Sequence, residues 1–284
     1  MSNSGKANQD QVELWNEASG RTWVEMQAVL DGILAPFASK VIDAGFPGEG
    51  GRVLDIGCGA GMTTRAMAQR LGPRGHCVGV DISEPLLTAA RARAAADRVG
   101  NASFLQADAQ THAFEPGSAD AIISRFGVMF FDDPEGAFAN LRRAVRPSGQ
   151  LAFVAWRSPA ENPFMTAAKR AAEPLLPNMP CAAANAPGQF AFADGDRVRR
   201  ILERAGWSDI AVRPVDAEGN VAEKDLFAYV TKLGPVGVAL RDVQDAALQA
   251  RVAEALRAAF QTYIRDGAAH FTMACWLVTA VRRE

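Results

Sequence analysis

Between residues 52 and 156 the apolar positions fall into short unbroken runs separated by stretches of helical spacing. "RVLDIG" is a brief apolar run closed by glycine. Met62 to Leu71 follows as a helix, which Gly72 and Pro73 stop. "HCVGVDIS" predicts a second strand. Ser83 can cap the next helix, with Pro85 tolerated in its first turn and Leu86, Leu87, Ala90 and Ala94 on one face. "ASFLQAD" and "ADAIISRF" predict the third and fourth strands. Asp133 and Pro134 open a helix whose Phe138, Leu141 and Val145 recur at i, i+3 and i+7, and "GQLAFVAW" predicts a fifth strand. Strands that are apolar without alternation, each followed by a helix, predict an α/β fold with a parallel sheet covered on both faces.

The pattern loosens after residue 157. Residues 158–193 are rich in proline and alanine and poor in charge, which predicts an ordered insertion or lid rather than a disordered linker. Asp194 can cap a helix running to Ala205, with Gly206 as its stop. "WSDIAVRPVD" predicts a strand and "TMACWLVTAVRR" the last one. A second insertion lies between them, at about 220–270. Its long helix, from about Arg241 to Arg265, carries Val252, Leu256, Phe260 and Tyr263 on a buried stripe.

Composition narrows the function classes. About half of the 284 residues are apolar, enough for a sizeable core. A net charge of −2 offers no electrostatic case for nucleic acid or an anionic membrane. The Arg142-Arg143 and Arg199-Arg200 pairs read as solvated helix faces. The first residues are polar, unlike a secretory signal, and no run approaches the roughly 20 apolar residues of a membrane span, so a cytoplasmic location is expected. Cys58, Cys77, Cys181 and Cys275 form no C-x-x-C pair and are expected as free thiols, with no bound metal.

The chemistry concentrates at strand ends. Gly57-Cys58-Gly59-Ala60-Gly61 lies between a strand and a helix, where glycines let backbone N–H groups meet a polar ligand. Dinucleotide sites want a glycine one place later, and Met62 stands there. Asp81 ends the second strand 20 residues beyond Gly61, where a carboxylate can accept from both ribose hydroxyls; Ile82 can pack on an adenine face. Asp108, at the end of the third strand, can accept from an exocyclic amine. Three such groups on one edge of a parallel sheet point to a nucleoside ligand other than a dinucleotide.

"VLDIGCGAGMTT", "VGVDIS", "FLQADAQ", "ADAIISRFGVMFFDDP" and "LRRAVRPSGQLAFVAW" together resemble the class I S-adenosylmethionine-dependent methyltransferases. The chain is most similar to their small-molecule branch, which includes the ubiquinone and menaquinone biosynthesis enzymes. The resemblance implies S-adenosylmethionine as cofactor and S-adenosylhomocysteine as product. It implies a doubly wound, seven-stranded, mostly parallel sheet of order 3-2-1-4-5-7-6, with helical cap and lid insertions. Residues 1–10 would be a flexible N-terminus, 11–48 a helical cap over the cofactor cleft, 49–157 the cofactor-binding core and 158–284 the rest of the fold with its lids. Asp55 would organise the glycine loop and reach the methionine ammonium, and Gly57, Gly59 and Gly61 would contact the methionyl and ribose parts. Asp81 and Ile82 would take ribose and adenine, Asp108 and Ala109 the adenine edge, Ser124 and Arg125 the methionine portion. Trp23, with Trp15, would cover the cleft.

Methyl transfer from a sulfonium is an in-line displacement whose leaving group the cofactor supplies. The protein aligns the partners and excludes water, and it needs a general base only if the acceptor must lose a proton. His76 and His112 read as structural or loop residues, and His270 is the one candidate for substrate contact or base chemistry. Phe126, Met129, Trp156, Asn162 and Phe164 are candidates for lining an acceptor cleft suited to a small, largely apolar or aromatic metabolite. Asp132 and Asp133 are adjacent, but Asp133 suits a helix cap better than a metal. The same fold and cofactor could also serve elimination, cyclisation or hydrolysis, or a nucleotide-binding module without turnover. The acceptor atom and the oligomeric state, monomer or homodimer, stay open.

Overall fold

The computed structural model describes residues 8–177, 179, 186–241 and 243–284. Three helices precede the sheet: α1 (Gln9–Asn16), α2 (Ala18–Glu25) and α3 (Gln27–Gly45). Next come β1 (Arg52–Ile56), α4 (Met62–Leu71), β2 (His76–Asp81), α5 (Glu84–Ala96), β3 (Ala102–Gln106) and β4 (Ala119–Arg125). A short 3-10 turn at Val128–Phe130 leads to α6 (Pro134–Ala144), β5 (Val145–Trp156), α7 (Pro163–Ala172), α8 (Gly195–Arg204) and β6 (Ser208–Ala222). The chain closes with α9 (Glu223–Lys232), α10 (Gly234–Arg241), α11 (Ala246–Phe260), the two-residue β7 (Ile264–Arg265) and β8 (Ala268–Val281).

The strands form one sheet of order β3-β2-β1-β4-β5-β8-β6, with β7 paired to β8. β1 to β5 are mutually parallel, and β8 runs antiparallel to both neighbours. The doubly wound order expected from the resemblance is therefore present, the two-residue β7 being an addition. Helix caps form where the side chains predicted them: Asp133 accepts from the Gly136 N–H at 3.0 Å, and Asp194 from those of Asp196 and Arg197 at 2.9 and 3.1 Å.

Both faces of the sheet are covered. α3 lies so close to one face that a Cβ on Gly45 would stand 2.3 Å from Ile123 Cγ2. On the other face Phe138 of α6 stacks on Phe153 of β5 and on Phe192, at centroid distances of 5.5 and 6.1 Å. These aromatic pairs anchor the core that fixes where the strand ends stand.

The sequence misjudged the C-terminal third. β6 runs on to Ala222, well past the expected end, because β8 pairs with it as far as Ala222 opposite Ala268. β5 ends at Trp156 opposite Cys275, so beyond it β6 and β8 continue as a two-stranded ribbon past the edge of the parallel strands. The helix expected from Arg241 to Arg265 is shorter: α11 starts at Ala246, where the Asp245 side chain accepts from the Ala247 and Leu248 N–H groups, and ends at Phe260, with a 3-10 turn and β7 after it, while Arg241 closes α10. Residues 1–7, most of the expected flexible N-terminus, lie outside the described residues, as do Cys181 and its neighbours within the expected 158–193 insertion.

Candidate active site

The glycine loop joins β1 to α4, and its three glycines have three different reasons to be glycine. All have positive φ, between +53° and +74°. A Cβ on Gly57 would stand 2.6 Å from Gly127 Cα, and one on Gly61 2.8 Å from the Phe104 ring. Both glycines therefore serve packing, against the β4 loop and the β3 strand. Above Gly59 nothing lies within 4 Å, and this is where the loop leaves room for a ligand.

Asp55 lies beneath the loop, fully buried. The hydroxyls of Thr63 and Thr64, in the first turn of α4, both donate to its Oδ2 at 2.6 Å. Its Oδ1 is buried and has no hydrogen-bond partner. Burial raises its pKa above the ordinary carboxylate value, and the two threonines and the nearby Arg125 charge oppose that rise.

Arg125 ends β4 and is the matching cation. Its side chain is 13% exposed, yet its contacts are poor: Asp31 Oδ1 at 3.4 Å and the Met62 thioether sulfur at 3.1 Å. Burial lowers its pKa, and the charges of Asp31 and Asp55 work against that. Ser124 is fully buried beside it. Its hydroxyl donates to Ile56 O at 2.7 Å and accepts from the Gly127 and Val128 N–H groups, which ties the end of β4 to the end of β1. Ser124 thus shapes the loop, and Arg125 carries the charge.

Asp81 closes β2 and holds the glycine loop from the side. Its Oδ2 accepts from the Gly59 N–H at 2.8 Å and its Oδ1 from the Ser83 N–H at 2.9 Å. Burial raises its pKa, and those N–H groups lower it in part. Each oxygen keeps a further lone pair for a ligand hydroxyl. Ile82 is half-buried next to it. Asp108 accepts from the Gln110 N–H at 2.9 Å within its own turn, and the Ala109 carbonyl accepts from Asn140 Nδ2 at 3.0 Å.

The N-terminal helices are fastened to this edge. Asn16 Nδ2 donates to Ile82 O at 2.9 Å, and its Oδ1 accepts from the Glu84 N–H at 3.0 Å. The Ser83 hydroxyl donates to Trp15 O at 2.7 Å. The Trp15 ring meets Trp23 and Phe130 edge-on, at 5.3 and 5.4 Å. At the ends of β4 and β5, Phe126 stacks on Trp156 at 4.8 Å and 15°, with Phe37 of α3 edge-on to Phe126 at 5.5 Å. Phe126 adopts φ +66°, strained for a bulky residue and held by the surrounding packing.

Four residues expected near an acceptor are engaged elsewhere. Asn162 is fully buried; its Oδ1 accepts from Ala274 N at 2.9 Å and its Nδ2 donates to Ala274 O at 3.0 Å and Ser158 O at 3.2 Å. It braces α7 against β8 and has no amide group left for a substrate. Phe164 lies flat on Phe271, 3.6 Å between centroids, inside a cluster with Tyr229, Phe260 and Tyr263. Tyr229 is half-buried in that cluster, and its partial burial pushes its hydroxyl up to about 12. Met129 is 1% exposed and belongs to the core. On β8 Ala269, Phe271 and Met273 take the buried face, so alternation turns His270 to the opposite one with the exposed Thr272. The imidazole expected as a base thus lies on the face of β8 opposite Phe271.

The sequence reading missed the threonine pair and Asp31. Thr63 and Thr64 stand inside the glycine-loop motif itself, and Asp31 is a carboxylate set between apolar residues of α3; either could have been marked on those grounds. Among the described residues no group of three or more His, Cys, Asp or Glu could hold a metal ion, and no helix is long and apolar enough to cross a membrane.

Comparison with known proteins agrees with this geometry. Residues 53–149 match a family model described as a methyltransferase domain. Over 116 residues the chain is 35% identical to the nocamycin O-methyltransferase of Saccharothrix syringae, covering 41% of each protein. Over 156 residues it is 33% identical to the ubiquinone/menaquinone biosynthesis C-methyltransferase of Pseudomonas aeruginosa, covering 55% of this chain and 58% of that one. The chain thus spans about half the length of these curated relatives. The crystal structure of a putative methyltransferase from Bacillus halodurans superposes with a TM-score of 0.56 at 18% identity, over 87% of this chain and 99% of that one, and so shares the fold. Residues 53–149 of this chain form a methyltransferase domain of the S-adenosylmethionine-dependent class.

Proposed function

We propose that this protein transfers the methyl group of S-adenosylmethionine to a small, largely apolar or aromatic acceptor held beneath the helical cap. One observation carries the reading. At the glycine loop a buried carboxylate with a free oxygen, Asp55 Oδ1, lies near a buried, poorly paired guanidinium, Arg125. A buried anion with an unpartnered oxygen and a weakly paired cation at the same strand edge suit a zwitterion: an ammonium for Asp55 and a carboxylate for Arg125. The methionine end of S-adenosylmethionine is such a group. Asp81 supplies the acceptor oxygens for a ribose, and the open space above Gly59 admits it.

The bound cofactor supplies an electrophilic methyl on a sulfonium leaving group. The chain's contribution is alignment and exclusion of water. Asp55 and Arg125 fix one end of the cofactor and Asp81 the other. Phe126 and Trp156, stacked and buried at the ends of β4 and β5, are the flat apolar surface against which an acceptor would pack, and Trp15 and Trp23 cover the edge. With His270 on the face of β8 opposite Phe271, the reading favours an acceptor that is already nucleophilic when it binds. Relatives named for O- and C-methylation of small molecules support an acceptor of that size.

Calorimetric titration with S-adenosylmethionine, then measurement of S-adenosylhomocysteine release with a panel of phenols, quinols and β-keto compounds, tests this. Binding of the cofactor with turnover of one acceptor is the expected result. A well-folded protein that binds a nicotinamide dinucleotide and not the sulfonium would overturn it.

A further inference from the structure

The cap reaches the methionine end of the site through one carboxylate. Asp31, on α3, lies between two guanidiniums. Its Oδ2 is 2.5 Å from Arg93 Nη2, and its Oδ1 is 3.4 Å from Arg125 Nη2. The two contacts are unequal. Arg93, from α5, also donates to the Ala60 carbonyl of the glycine loop at 3.1 Å, so the Asp31–Arg93 pair is a firm staple. Arg125 is held only by the long contact and a thioether sulfur, both weak partners for a guanidinium with five donors. Asp31 itself is 17% exposed, sheltered enough for its charge to be felt.

We propose that Asp31 is a built-in competitor for the carboxylate of the cofactor's methionine end, and so a residue that sets cofactor affinity from the cap. Without cofactor it partly neutralises Arg125 and ties α3 to β4. An arriving carboxylate takes Arg125 with better geometry, and Asp31 keeps only Arg93. The Asp31–Arg125 link between the cap and the core is then exchanged for a link to the ligand, while the Arg93–Asp31, Arg70–Asp43 and Lys232–Glu25 links remain. The proposal rests on the functional reading above, because it takes the ligand's carboxylate to lie at Arg125.

Decarboxylated S-adenosylmethionine, which keeps the sulfonium and the amine, isolates the carboxylate. Both ligands are titrated into the wild type and Asp31→Asn, with folding checked by thermal melting. Competition predicts that Asp31→Asn binds S-adenosylmethionine about tenfold tighter and the decarboxylated ligand with unchanged affinity. Hydrogen exchange on the wild type gives a readout independent of the variant: amides of residues 27–45 should exchange faster with saturating S-adenosylmethionine than with the decarboxylated ligand. Weaker binding of both ligands by Asp31→Asn would reduce Asp31 to a structural residue. Weaker binding of S-adenosylmethionine alone would make it a support for Arg125 rather than a competitor. Either result overturns the proposal while the functional reading stands. A wild type that binds neither ligand overturns both.

Discussion

Replacing Asp55 with asparagine should raise the stability of the cofactor-free protein and weaken its hold on S-adenosylmethionine. Stability rises because Asp55 is a fully buried carboxylate whose largest perturbation is loss of hydration. Asparagine keeps a carbonyl oxygen for the Thr63 and Thr64 hydroxyls and removes the charge. Arg125 loses a distant partner but keeps Asp31. Affinity falls because the amide then puts N–H donors where Oδ1 was free, facing an ammonium. A hydrogen bond to a charged group contributes about 1.5 to 3 kcal/mol, which at about 1.4 kcal/mol per tenfold is a loss of about tenfold to about a hundredfold.

The pH dependence gives this prediction a second edge. A carboxylate whose folded-state pKa lies above its unfolded value stabilises the fold fully below the unfolded value, 3.8 for aspartate, and loses that contribution as pH rises through the folded-state pKa. The stability gain of Asp55→Asn over the wild type should therefore be small in acid and grow toward neutrality. Cofactor affinity of the wild type should fall as pH drops through the raised pKa, since the ammonium needs the ionised form. Thermal melting and calorimetry across pH measure both. An unchanged affinity, or a variant less stable at neutral pH, would refute the reasoning.

Two glycine variants separate packing from binding. Gly57→Ala should lose 2 kcal/mol or more, roughly, from left-handed strain plus the 2.6 Å approach to Gly127, seen as a lowered melting temperature. Gly59→Ala meets open space and should lose only about 1 kcal/mol of stability while losing cofactor affinity; equal effects of the pair on both readouts would contradict the assignment. Asp81→Ala should fold and bind S-adenosylmethionine at least about tenfold more weakly, and it should lose adenosine affinity too, which Asp55→Asn should spare; a titration with adenosine checks this. Asn162→Ala should cost about 1 to 3 kcal/mol by stranding the Ala274 N–H, seen as a lowered melting temperature, with little effect on the Michaelis constant of any acceptor that assays identify.

The proposed cofactor end of the site stood out in the sequence because its residues are local. Asp55, the glycines and the two threonines lie within ten residues of each other, Asp81 and Arg125 each close a strand whose apolar run is plain in the sequence, and Asp108 lies in the turn just after β3. Parallel order then delivers all of them to one edge. The acceptor end was not legible in this way. Asn162, Phe164 and His270 are of the right types to line a cleft, but their use depends on facts that carry no local signal. Asn162 is claimed by a backbone 112 residues away, Phe164 by a helix cluster drawn from four segments, and His270 by the parity of a strand whose pairing runs longer than its own pattern implied. A one-residue change of register would have turned His270 to the other face.

The same distinction explains why the cap matters to the chemistry. Several of its attachments fall at the candidate site, while others, such as Asp43–Arg70 and Glu25–Lys232, lie away from it. Asn16 and Trp15 bond to the turn after Asp81, Phe37 packs on Phe126 after Arg125, and Asp31 is stapled through Arg93 to the carbonyl of Ala60 between Gly59 and Gly61. Each therefore lands on the segment that follows the end of β1, β2 or β4. A ligand that orders these segments also changes the footing of the cap, and a displaced cap leaves them more open to water. On the proposed reading, in which the protein contributes alignment and dryness to methyl transfer, the helices that cover the site would be part of the catalyst. The acceptor's identity is then written in the surface that α1 to α3 turn toward Phe126 and Trp156, more than in the glycine loop.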